Sequence, residues 1–148
     1  MVKRALNPQE IQVWYILPAL RKELSLEMKK LGLDQKTIAK IIGVTEAAIS
    51  QYIKEKRANE IRFDEKTKEE IKKSAQLISQ NSKLLFQEMQ HLLNKALESR
   101  VICRFCHTKN DLPETCGICF ENESKQNLSG QCSCNSSRQS SQERDAAL

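Results

Sequence analysis

Residues 34–52, "DQKTIAKIIGVTEAAISQY", hold two short amphipathic stretches on either side of Gly43-Val44. Asp34 and Thr45 stand where N-caps belong, so the spacing predicts one helix running up to the glycine and a second one after Thr45. Ile38, Ala39 and Ile42 make the inward stripe of the first helix, and Val44, Ile49 and Tyr52 that of the second. Ala39 is small where the second helix has to cross closely, and Gly43 accepts the positive φ that a three- to four-residue corner demands. Thr45, Glu46, Ser50 and Gln51 then lie on the side away from the apolar residues. Such a corner either buries itself in a core or pushes one helix into something outside the protein.

Outward from the corner, the chain reads as helical throughout. Asn7, Pro8 and Glu10 form an N-terminal capping signature. Ile11, Trp14, Tyr15, Pro18, Leu20, Leu24 and Met28 follow at helical spacing, with Pro18 a place for a kink or a division and Gly32 a stop. "EKRANEIRF" (55–63) is a basic, loop-like exit, and Asp64 caps a helical region reaching about residue 99. With 4 Gly and 3 Pro among 148 residues, there are too few turn formers for a sandwich or barrel. The fold class expected is all-α. From Glu121 onward the chain is polar with almost nothing to bury, so a disordered tail is expected.

The net charge of +5 is uneven. Residues 1–59 carry 11 Lys/Arg against 6 Asp/Glu, residues 60–100 carry 8 against 7, and residues 101–148 carry 5 against 6. The basic excess sits with the corner, which suits a polyanionic partner. No run of about 18 apolar residues offers a membrane span. "IQVWYILPAL" (11–20) lacks the small-residue cleavage site of a signal peptide, and a cytoplasmic protein with no membrane partner is expected.

The small residue, the turn glycine and the flanking apolar positions together make the pattern of a DNA-binding helix-turn-helix. Residues 7–57, with "VWYILPALRKEL" and "LGLDQKTIAKIIGVTEAAISQYIKEKR", resemble the lambda-repressor-like (Cro/CI, XRE-type) regulators, and especially a group of predicted archaeal transcriptional regulators with a C-terminal cysteine motif. The resemblance implies that the second short helix enters the major groove of double-stranded DNA. Carried onto this chain, it makes Thr45, Glu46, Ala47, Ser50 and Gln51 candidates for base and backbone contacts, Gln35 a phosphate contact, and Lys54, Lys56 and Arg57 holders of the flanking backbone. The chemistry is compatible: Gln pairs bidentately with adenine, Ala meets a thymine methyl, and Lys and Arg supply salt-dependent affinity. Glu46 either accepts from cytosine or simply favours the helix N-terminus.

Ile71, Ala75, Ile78, Leu85, Met89, Leu92 and Ala96 form a heptad-like series broken at Ser82. Two half-sites about 34 Å apart favour a homodimer seam there; an intramolecular core is the alternative, with "SQNS" (79–82) a break between two helices. Cys103, Cys106, Cys116 and Cys119 stand as C-x2-C-x9-C-x2-C, two knuckles offering the four thiolates of a tetrahedral zinc site. An iron–sulfur cluster takes the same set, and a redox dithiol pair is a third reading. His107 reads as a bystander, and Cys132 and Cys134 as spare thiols.

The expected organisation is a DNA-binding domain at 1–59, long dimerisation helices at 60–100, a four-Cys metal module at 101–120 and a polar tail at 121–148. The expected function is sequence-specific, dimeric transcriptional regulation, with the metal either a structural staple or a sensor. The rival is an adaptor whose cysteine module binds protein or RNA. No phosphate loop, carboxylate pair or Ser-His arrangement suggests an enzyme.

Overall fold

The computed structural model describes residues 5–113 and 115–119. Every regular element among them is helical: α1 (Pro8–Ile11), a π-helical turn (Gln12–Ile16), α2 (Leu17–Lys30), α3 (Gln35–Ile42), α4 (Glu46–Ile53), α5 (Glu65–Gln80), a 3-10 turn (Ser82–Leu84), α6 (Leu85–Glu98) and α7 (Val101–Asn110). The all-α class is thus the observed one. The polar tail expected at 121–148, with Cys132 and Cys134, lies outside the described residues.

Pro18 explains the π-helical turn. It has no N–H for the carbonyl four residues back, and its ring crowds that position. The helix widens instead of breaking: the Leu17 N–H donates to the Gln12 carbonyl, five residues back. This changes the apolar register. Ile11, Ile16, Ala19, Leu20, Leu24 and Met28 are buried, whereas Trp14, expected on the same stripe, is 51% exposed. The helix ends as Gly32 predicts. Gly32 has φ +92°, its N–H bonds the Lys29 carbonyl at 3.0 Å, and the Leu33 N–H reaches back to Met28 at 3.2 Å.

The heptad-like series does not form one long helix. Asn81 takes an extended backbone, and its side chain accepts from the Lys83 N–H at 3.2 Å, stopping α5 and starting the 3-10 turn. Two cross-links define how α5 and α6 pair. Ser74 Oγ donates to Glu88 Oε2 at 2.7 Å, and His91 Nε2 lies 3.3 Å from Glu70 Oε2. Ascending α5 matches descending α6, so the two form an antiparallel hairpin. Ile71, Ala75 and Ile78 from one arm and Leu92 and Ala96 from the other are buried in the same core as Leu24, Ile38 and Ile49. The series is therefore intramolecular at these positions, because folding back buries both stripes against α2, the element that α5 packs on most extensively.

Residues 5–116 pack as one unit, and residues 117–119 belong to another. Ile61, Phe63, Val101, Ile102 and Cys106 join the core that the first 59 residues begin. The boundaries read at 59/60 and 100/101 mark changes of composition rather than of packing. No helix among the described residues is long and apolar enough to cross a membrane.

Candidate nucleic-acid interface and cysteine face

The corner is built by three local devices. Asp34 caps α3, its carboxylate accepting from the Thr37 N–H at 3.3 Å and from the Thr37 hydroxyl at 2.5 Å. The Thr37 hydroxyl bond, foremost, holds the Asp34 carboxyl below the usual aspartate range. Gly43 takes φ +78°, ψ +37°, and its N–H and that of Val44 both bond the Ala39 carbonyl, at 2.9 and 3.1 Å. Thr45 Oγ1 then accepts from the Ala48 N–H at 3.1 Å and starts α4.

These devices set the faces of α4. Ala48, Ile49 and Tyr52 are buried, and Val44 and Ile53 are partly so. Thr45, Glu46, Ala47 and Gln51 are exposed and Ser50 half-buried, so the candidate contact residues of this helix share its outer side. Gln35 is half-buried at the first position of α3.

The end of α4 carries the candidate cations. The Glu55 N–H bonds the Tyr52 carbonyl at 3.1 Å and the Lys56 N–H bonds the Gln51 carbonyl at 3.0 Å, with Glu55 itself left-handed at φ +54°. This is the glycine-type helix stop made without glycine. Lys54, Lys56 and Arg57 are exposed, and the Arg57 guanidinium lies 6.0 Å from the centre of the Tyr52 ring. None of the three forms a salt bridge to a described residue.

The sequence reading missed two supports of this end. Lys22 is buried on α2, and its ammonium donates to Asn59 Oδ1, while Asn59 Nδ2 donates to the Glu55 carbonyl. Together they brace the loop that bears Lys56 and Arg57. A lysine two positions before Leu24 on a helix rich in charge gave no signal of burial, since its partner is 37 residues away.

The cysteines are arranged differently from two matched knuckles. Cys103 and Cys106 lie on α7, three residues apart and both buried. Cys116 is half-buried beyond the helix, and Cys119 lies in the second unit. Burial, above all, raises the Cys103 thiol; Arg100 acts in the opposite sense, and the sulfurs of Cys106 and Cys116 are near enough to oppose its ionisation further. Asn110 Nδ2 points at Cys106 Sγ from 3.3 Å. Cysteine side chains of this kind are donors that a thiophilic cation takes as thiolates. No three His, Cys, Asp or Glu side chains among the described residues are already drawn together at metal-binding range.

Comparison with protein-family models, with curated proteins and with solved structures returned no match.

Proposed function

We propose that the chain is a sequence-specific DNA-binding regulator of the helix-turn-helix type, reading the major groove with α4. The observation that carries this is the division of α4: Ala48, Ile49 and Tyr52 anchor it, while Glu46, Ala47, Ser50 and Gln51 face outward, beside three cations that form no salt bridge among the described residues. A helix meant only for the core has no need of a polar, hydrogen-bonding outer face ending in Lys54, Lys56 and Arg57. Base reading then falls to Gln51, Ser50 and the Ala47 methyl, and backbone anchoring to the cations and Gln35.

The reading includes a homodimer on DNA, since one such helix covers few base pairs. It also includes a zinc ion held by the thiolates of Cys103, Cys106 and Cys116 with a fourth ligand, an iron–sulfur cluster being the alternative. Zinc would neutralise the thiolates it gathers and tie Cys116 to α7.

A selection from random duplexes tests the main reading and should return one enriched motif. Gln51→Ala should cost about 1–3 kcal/mol on that motif and relax preference at one position. Lys54→Ala should weaken all duplexes alike and reduce the salt slope by about one. Absence of any enriched motif sinks the proposal.

A further inference from the structure

We infer that a second basic groove, between α7 and the loop after α4, holds the phosphate backbone of the DNA that α4 reads. The inference rests on the DNA-binding reading above and adds contacts outside the helix-turn-helix. One wall of the groove is the loop segment bearing Glu60 and Arg62; the other is the face of α7 bearing Arg104, Thr108 and Lys109. Arg104 and Thr108 stand at i and i+4, on one side of the helix. Arg62 and Arg104 are exposed and form no salt bridge among the described residues. The Lys109 ammonium stands 5.3 Å from the centre of the Phe105 ring and 5.8 Å from that of Tyr15. Among the described residues lining the groove, Glu60 is the one acid against three cations.

The groove continues the row of cations at the end of α4. Arg62 also lines the neighbouring groove, together with Lys22, Glu55 and Asn59. Those three form the brace at the end of α4: Lys22 donates to Asn59, and Asn59 to the Glu55 carbonyl. The loop is thereby held between Lys54, Lys56 and Arg57 on one side and Arg62 and Arg104 on the other. Arg62 follows Arg57 by five positions, so their Cα atoms are at most about 18 Å apart. That is half of the duplex repeat of about 34 Å, within the span of a single DNA molecule.

The lining suits a polyanion better than an acidic protein segment. Its apolar members Val101 and Ile61 are buried, so no open apolar pocket offers a protein partner an anchor. Phe105 is half-buried under Lys109. What remains accessible is guanidinium, ammonium and hydroxyl, the groups that take phosphate oxygens and position a backbone without reading its sequence.

The test is anisotropy titration of the full chain on duplexes carrying the selected motif, at salt from about 50 to about 200 mM. Arg62→Ala combined with Arg104→Ala should lower the slope of log affinity against log salt by about 1.8, two phosphates' worth. Across that salt range the wild type should therefore lose about tenfold more affinity than the double variant. Motif preference should not change. Lengthening a minimal duplex by about 10 bp on each flank should strengthen wild-type binding and leave the double variant nearly unaffected. Lys66→Ala combined with Lys72→Ala removes the same charge from α5 and should leave the slope as it is. Circular dichroism should be that of the parent in both. An unchanged slope without Arg62 and Arg104, or an equal fall without Lys66 and Lys72, overturns the inference and leaves the reading of α4 intact. Failure of the wild-type chain to enrich any motif removes that reading, and the inference with it.

Discussion

Glu55 shows how much one residue's backbone decides at the candidate interface. Its left-handed conformation ends α4 and sends Lys56 back over the Gln51 carbonyl, so the position of the cations depends on it. An L-residue in that region costs about 1–2 kcal/mol, and glycine avoids that cost while adding freedom to the unfolded chain. Glu55→Gly should therefore stabilise the fold by up to about 1 kcal/mol in urea unfolding, with the motif preference unchanged. A destabilised variant would show that the Glu55 side chain contributes more than its backbone costs. At this scale the sequence was readable for the caps and glycines. Asp34, Gly43 and Thr45 act through neighbours at most five residues away. Lys22 and Asn59 were not readable, because each owes its meaning to burial or to a distant partner.

Among the elements, α7 has the most consequential placement. It packs on α6 and on α1, the Tyr15 and Phe105 rings meet at 4.5 Å between centres, and the Lys109 ammonium lies 5.3 Å from the Phe105 ring centre. The decisive contact is polar. Asn110 Oδ1 accepts from the Leu6 N–H at 2.8 Å, and Asn110 Nδ2 donates to the Leu6 carbonyl at 2.7 Å. One side chain thus pairs both backbone groups of a residue 104 positions away and, through the same Nδ2, touches Cys106. Asn110→Ala would leave the Leu6 groups without these bonds in a partly buried place, at a cost of about 1–3 kcal/mol. Hydrogen exchange should show faster exchange at Leu6 and in α7, with protection in α3 and α4 retained. Uniform loss of protection would mean that α7 is indispensable to the whole core. The spacing C-x2-C alone pointed to a knuckle; Val101, Ile102 and Cys106 form a helix there because their stripe has a core to enter.

For the whole molecule, the question is what surface remains for a second copy once the apolar series of 71–96 is turned inward. Leu92 is fully buried, so charging it would test folding and not assembly. Phe86 is 85% exposed and Leu77 is 45% exposed, on either side of the turn that joins α5 to α6. An aromatic left so open is where the proposed homodimer would be tested. Phe86→Lys should convert a dimer to monomers in light scattering while the circular dichroism stays that of the parent; a dimer unaffected by the change would place the interface elsewhere. What the sequence by itself determined is the all-helical class, the capped corner at 34–52, the stop at Gly32 and the polar outer side of α4. Each depends on periodicity, on a cap or on a glycine, and these act over a few residues. The tertiary structure decided the rest. It chose the antiparallel hairpin over a continuous seam, turned Trp14 outward through the π-helical turn, and drew residues 60–116 into the core of the first 59. An apolar stripe specifies that a face must be buried; which surface buries it is decided only when the chain's stripes compete for one another.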